Sequence, residues 1–215
     1  MKGTNAMKNY VIAIARGYGS GGKQVGLKLA EELGIKLIDK ELLQMASIQS
    51  GIDEGLFALA DEKLKKTFLG LVLDRRYIGN TLTPEHEKFV SDVNLFNYQA
   101  QVLRCLAETE SFVIIGKAAF HVLQDYPNVV SVNIQAPFDD CVQSIMNRSG
   151  LSEKEAKKAV HDTDKFRAEY NKFYTGRDWL DVTNYDLSLN SSRIGRDRCA
   201  DVIRQYTRLK LGVEI

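Results

Sequence analysis

Apolar residues recur along this chain with two different periods, and the switches between them lay out the expected elements. Residues 9–15 (NYVIAIA), 35–39 (IKLID), 111–116 (SFVIIG) and 128–136 (NVVSVNIQA) are short apolar runs of β type, and 184–192 (NYDLSLNSS) alternates as a last strand. Between the first two, Val25, Leu29, Ala30 and Leu33 fall at helical spacing before Gly34, a residue suited to a helix C-cap. Strand, glycine loop, helix and strand within about 30 residues make a βαβ unit, so the sheet is expected to be parallel.

The stretch 40–109 carries apolar residues every three or four positions in three segments, 40–51, 53–76 and 83–108, with Pro84 at the first position of the third helix. About 70 residues is too long for a simple crossover and predicts a helical excursion beside the sheet. A further helix is expected to start at Pro137 and stop at Gly150, and another, over 152–176, opens with the capping box Ser152 and Glu155. A final helix follows Gly195. The predicted architecture is α/β: a three-layer parallel sheet with one helical insertion, in a single domain.

Five glycines fall among residues 17–26, directly after the first strand. Such a run lets main-chain N–H groups curl around an anion. Two parses are open. Gly17-Tyr-Gly19-Ser-Gly21-Gly22 satisfies the dinucleotide fingerprint, with Asp39 as the ribose-binding acid at the end of the second strand. Gly17-x-x-x-x-Gly22-Lys23 is instead the start of a Walker-type phosphate loop. Lys23 separates them, because phosphoryl transfer needs a cation there and a dinucleotide does not. A cation at a helix N-terminus also opposes the dipole unless an anion is present. The residues after Lys23 are Gln24 and Val25, which bring no hydroxyl for Mg²⁺; Ser20, or a water held by Asp39, is the expected substitute.

Composition removes several function classes. Lys+Arg 29 against Asp+Glu 28 gives a net charge of +1, with no basic excess for nucleic acid or membrane surfaces. No apolar run reaches the roughly 20 residues of a membrane span, and MKGTNAMKNY has no signal-peptide core. Cys105, Cys141 and Cys199 are read as reduced thiols in a cytoplasmic protein. His86, His121 and His161 are scattered without ligand spacing, so no metal site is expected from them.

The segments GSGGKQVGLKLAEELGIKLIDKELL, VLRCLAETESFVIIGKAAFHVL, IMNRSGLSEKEAKKAVHDTDKFRAEYNKFYTG and NYDLSLNSSRIG resemble the cytidylate kinase-like family, a branch of the P-loop nucleoside monophosphate kinases. The likeness runs in order from about Tyr10 to Ile203. It implies a P-loop core (9–39 and 110–215), an acceptor-side helical insertion (about 40–109) and a helical lid (about 148–180). Carried over residue by residue, Gly19, Ser20, Gly21, Gly22, Lys23 and Gln24 would hold phosphates, with Arg193 near the base. Asp39, Lys117, Asp164 and Arg177 would address the acceptor, and Arg148 and Arg167 would join Lys23 in catalysis. Lys117 stands where the family has arginine, and Phe166 where glutamate is common.

Asp164 and Arg167, three apart on one helix, are expected to share a face. Lys157, Lys158, Lys165, Lys172 and Arg177 make the same segment rich in cations that could close over a triphosphate. The function expected is an ATP- and Mg²⁺-dependent phosphotransferase acting on a nucleoside monophosphate-like molecule, CMP by default, with small-molecule nucleotides as its partners. A non-catalytic nucleotide-binding protein on the same scaffold is the alternative, and a dinucleotide-binding oxidoreductase a weaker one. The long helices of 53–108 offer a surface for a homodimer.

Overall fold

A computed structural model describes residues 9–66 and 80–215. Among these residues, five strands build one sheet: β1 (Val11–Arg16), β2 (Lys36–Ile38), β3 (Phe112–Ile115), β4 (Val129–Gln135) and β5 (Leu187–Asn190). Their order is β2-β3-β1-β4-β5 and every pairing is parallel. Parallel sheets are covered on both faces, which is why β1 and β3 read as nearly unbroken apolar runs.

Side chains of alternate parity leave the sheet on opposite faces. Val11, Ala13, Phe112 and Ile114 enter one core. That core also holds residues of α2 (Glu41–Ser50), α3 (Glu54–Lys66), α4 (Asp92–Thr109) and the short α5 (Ala119–Val122). Ile12, Ile14, Val113, Ile115, Val132 and Ile134 face the other, against α1 (Gly22–Leu33) and α9 (Arg196–Leu211). A third, smaller cluster joins α6 (Phe138–Ser149) to α7 (Glu153–Thr175) through Val142, Ile145, Ala156 and Val160. The expected three-layer parallel sheet is therefore the fold.

Several boundaries were set by caps. Gly34 and Gly150 end α1 and α6 in left-handed geometry, and Ser152 and Glu155 form the predicted capping box of α7. The helix expected from Pro84 instead begins at Asp92, because Ser91 accepts from the Asn94 N–H as its N-cap while residues 83–91 form turns. The last strand stops at Asn190, two residues early. Its side chain accepts from the Ser192 and Arg193 amides and starts α8 (Ser191–Ile194). The C-terminal part of the helix expected over 53–76 lies outside the described residues.

Candidate functional site

The site forms where β1 ends at the centre of the sheet. The Gly17 N–H donates to the Ile134 carbonyl (3.0 Å), carrying the chain one step past Arg16 before it turns. The Ser20 N–H (3.3 Å) and Oγ (2.9 Å) both close on the Gly17 carbonyl. Gly19 (φ +94) and Gly21 (φ +83) supply the left-handed backbone that returns the chain into α1. Gly19 is also fixed by crowding, since a methyl there would lie 2.5 Å from the Cys141 carbonyl oxygen. Ser191 seats the loop from below, its Oγ donating to the Ser20 (2.6 Å) and Gln135 (3.2 Å) carbonyls. Among the described residues, the amides of Gly19, Gly21, Lys23 and Gln24 donate to no acceptor. Unpaired N–H groups at a helix N-terminus are the elements of an anion cradle.

The Tyr18 N–H does have a partner, the Asp164 carboxylate of α7 at 2.8 Å. Asp164 also accepts from Arg167 Nη1 (2.9 Å), which in turn donates to the Arg16 carbonyl (3.0 Å). The predicted Asp164–Arg167 pair thus exists, and it fastens α7 onto the glycine loop. Burial raises the Asp164 pKa against the pull of Arg167, and burial lowers that of Arg167 against the pull of Asp164. The Arg148 and Arg167 guanidiniums lie 5.3 and 5.6 Å from the centroid of the Tyr18 ring.

Beside the loop opens a cavity of about 740 Å³, lined by Arg16, Asp39, Lys117, Lys165, Arg167 and Trp179 among others. Lys23 reaches to its rim, where its ammonium meets Asp39 at 2.6 Å. Lys117 (φ +55) and Ala118 (φ +51) follow Gly116 (φ +76) in left-handed backbone. Two non-glycine residues in that region are strained, at on the order of 1–3 kcal/mol each, and such strain concentrates at functional sites. A shallower groove of about 480 Å³ on the other side of the loop is lined by Gln24, Arg148, Ser144 and Arg196.

The structure does not gather every expected residue. Asp39, Lys117 and Arg167 line the large cavity, whereas Asp164 is spent on the loop. Arg177 is exposed and donates to Asn184 Oδ1 (2.9 Å), outside the cavity lining. Arg193 is exposed on α8 and lines neither space; Arg196, three residues on, takes the place beside the loop. Ser20 is buried with its hydroxyl turned into the loop, so that hydroxyl does not replace the one missing after Lys23. Val25, at the position in question, is a core residue. Among the described residues no group of three or more His, Cys, Asp or Glu could hold a metal, and no helix is long and apolar enough to cross a membrane.

Sequence reasoning passed over Arg16 and Ser191, and it reads Arg196 only as a solvent-facing arginine of the last helix. The one visible signal was Arg16 itself, a cation closing an otherwise apolar strand just before the glycines. Burial first, and then Arg167, push its pKa well below the ordinary arginine value, to about 9, against the opposing pull of Asp39 and Asp164. The dinucleotide parse fails on topology. That fold places the second strand beside the first, in the order 3-2-1-4-5-6. Here β3 separates β1 from β2.

A family model described as the cytidylate kinase-like family matches residues 11–193. Among solved structures, an uncharacterized protein from Eubacterium ventriosum is 29% identical with a TM-score of 0.67, over 93% of this chain and 98% of that one. Shikimate kinase from Acinetobacter baumannii, in complex with shikimate, is 16% identical (TM-score 0.46; 95% and 94% covered). Shikimate kinase from Bacteroides thetaiotaomicron is 13% identical (TM-score 0.49; 95% and 99%). No curated protein matches the chain.

Proposed function

The chain belongs to the cytidylate kinase-like family, and from that premise we propose that it is an ATP-dependent phosphotransferase with a nucleoside monophosphate-like acceptor, CMP being the first to test. The observation that carries this reading is the juxtaposition of unpaired loop amides with a cation-lined cavity of about 740 Å³. ATP with Mg²⁺ would supply the phosphoryl group and neutralise its charge. The amides of Gly19, Gly21, Lys23 and Gln24 fit an oligophosphate chain, and Lys23 is long enough to leave Asp39 for it. Asp39 and Asp164 both reach the loop, and Asp39, which lines the cavity and meets Lys23, is the residue suited to hold Mg²⁺ through its water shell.

Phosphoryl transfer asks little covalent chemistry of a protein, so these residues act by position and charge. Lys23 and the loop amides hold the donor phosphates in line. Arg167, anchored by Asp164 and the Arg16 carbonyl, places a fixed guanidinium where charge develops. Lys117, held in strained backbone, faces the acceptor cavity. Residues 148–180 act as the lid, with α7 excluding water, and Arg148 lies on the nucleotide side.

A second reading, nucleotide binding without turnover, is favoured by Val25 in the core and by the inward hydroxyl of Ser20. A coupled ADP-release assay across nucleoside monophosphates decides between them. Turnover that disappears in Lys23→Ala supports the kinase. Calorimetric ATP binding with no turnover on any acceptor supports the second reading. No heat with ATP at all overturns both.

A further inference from the structure

A hydroxyl from the end of the chain's last strand reaches into the glycine loop. β5 pairs with β4 as far as Asn190 opposite Gln135, so the next residue, Ser191, stands just beyond the point where β4 stops. Its place there is fixed. The Asn190 side chain accepts from the Ser192 and Arg193 amides, and the Ser191 carbonyl accepts from the Gly195 N–H at 3.0 Å. The side chain is buried, and its Oγ donates at 2.6 Å to the Ser20 carbonyl, with the Gln135 carbonyl further off at 3.2 Å. Among the described residues no main-chain amide bonds the Ser20 carbonyl. The helical pattern would give it the Gln24 N–H, which donates to no acceptor, whereas the Val25 N–H does reach the Gly21 carbonyl at 3.0 Å.

This bond decides a choice that the loop cannot make for itself. The Ser20 carbonyl and the Gly21 N–H belong to one planar trans peptide unit and point to opposite sides. If that unit rotates, the hollow of the loop receives a carbonyl oxygen in place of an N–H, and the oxygen repels an anion. Glycine admits both signs of φ about equally, so Gly21, at φ +83, sets no preference. A side chain that would set one is excluded, because a methyl on Gly21 would run into Arg196. Earlier units of the loop are already held, the Gly17 N–H by the Ile134 carbonyl, the Tyr18 N–H by Asp164 and the Ser20 N–H by the Gly17 carbonyl. The unit joining Ser20 to Gly21 has Ser191.

We propose that Ser191 is a positioning residue for the donor phosphates: its hydroxyl holds the Ser20 carbonyl outward and so keeps the Gly21 N–H turned into the hollow. This rests on the phosphotransferase reading above and deepens it, making phosphate affinity depend on a residue that touches no phosphate. An N–H offered in advance needs no rearrangement when the anion arrives. The Lys23 and Gln24 amides belong to α1 and do not depend on Ser191, so its removal weakens the cradle at one point.

The test compares Ser191→Ala with wild type by calorimetry and proton–nitrogen NMR of the full chain, titrated with the nonhydrolysable nucleotide AMP-PNP and Mg²⁺. In wild type the Gly21 amide proton is expected to move downfield on binding, as an N–H does on gaining a charged acceptor. In Ser191→Ala that movement should vanish while those of Lys23 and Gln24 remain, and the affinity should fall about 10-fold. A purely structural serine would lower unfolding stability and leave the Gly21 movement in place. A Gly21 amide that still moves in Ser191→Ala, or an unchanged affinity, overturns the proposal. So does a wild-type Gly21 amide that stays put on binding. If Ser191→Ala does not fold, Ser191→Cys, which keeps the shape with a weak donor, is read by the same criteria. Absence of AMP-PNP heat in wild type is a separate result and counts against the nucleotide reading. The hold of Ser191 on the peptide is then decided in nucleotide-free crystals. A Ser20–Gly21 peptide rotated, or split between two orientations, in Ser191→Ala supports it, and one unchanged from wild type overturns it.

Discussion

The charge of Arg16, buried beside Arg167, is an energetic cost to the folded protein, and removing it should stabilise the fold. The magnitude follows from the site. Burial and Arg167 lower the guanidinium from the ordinary arginine value to about 9. At 1.36 kcal/mol for each pH unit, this sets a ceiling of about 5 kcal/mol. Two effects reduce it. The residue keeps partial solvent access, where charges are better screened. Its aliphatic stem packs over Gly22, and methionine recovers only part of that contact. Arg16→Met is therefore expected to gain about 1–3 kcal/mol, raising Tm by about 3–10 °C for a chain of this length. The pH dependence has a definite sign. A basic group depressed in the folded state contributes stability above its unfolded pKa and loses it as pH falls through the folded value. At pH 7 Arg16 is charged in both states and the full cost is present. Wild-type stability should thus rise as pH climbs through about 9, a rise the variant lacks. Differential scanning calorimetry without nucleotide at pH 7 and pH 10 should show the Tm gap narrowing. An Arg16→Met protein less stable than wild type at pH 7, or a gap that widens with pH, would refute the reasoning.

Other substitutions probe the loop and its support. Lys23→Ala should lower ADP release more than about 100-fold yet change urea-unfolding stability by less than about 1 kcal/mol, because the ion pair with Asp39 is solvent-exposed on the lysine side. Gly19→Ala forces a side chain into φ +94 and against the Cys141 carbonyl. It should cost about 2–4 kcal/mol in unfolding and remove the calorimetric signal of ATP. Ser191→Ala leaves the Ser20 and Gln135 carbonyls without their donor, for an expected loss of about 1–2 kcal/mol in denaturant titration. Iodoacetamide followed by mass spectrometry should mark exposed Cys105 in the native protein. Cys141, whose thiol burial pushes up to about 11, should react only after unfolding, as should buried Cys199.

The sequence made legible whatever depends on neighbours along the chain. β1 and β3 stood out because both their faces are buried, and α7 because Ser152 and Glu155 write its start in four residues. The turn of the loop was readable from its glycines, and the Asp164–Arg167 contact from an i,i+3 spacing that survives in any helix. What was not legible depends on partners brought from far away. The strand following α1 looks like the neighbour of β1, and nothing in residues 9–39 announces that β3 will come between them. The cap at Ser91 outcompeted a proline with equally good credentials, since the Asn94 side chain is tied to Leu82 and Phe89 rather than to a longer helix. Arg16 is the sharpest case. On sequence it is a strand-end cation of the sort that turns to water. What withdraws it from water is Gly116, one hundred positions later, and the approach of α7 from residues 164–167. Ser191 is hidden in the same way, an ordinary serine until β5 lies beside β4 and aims its hydroxyl at the loop. Local pattern therefore locates the glycine loop but not the cavity beside it, because that cavity is lined by segments far apart in the sequence.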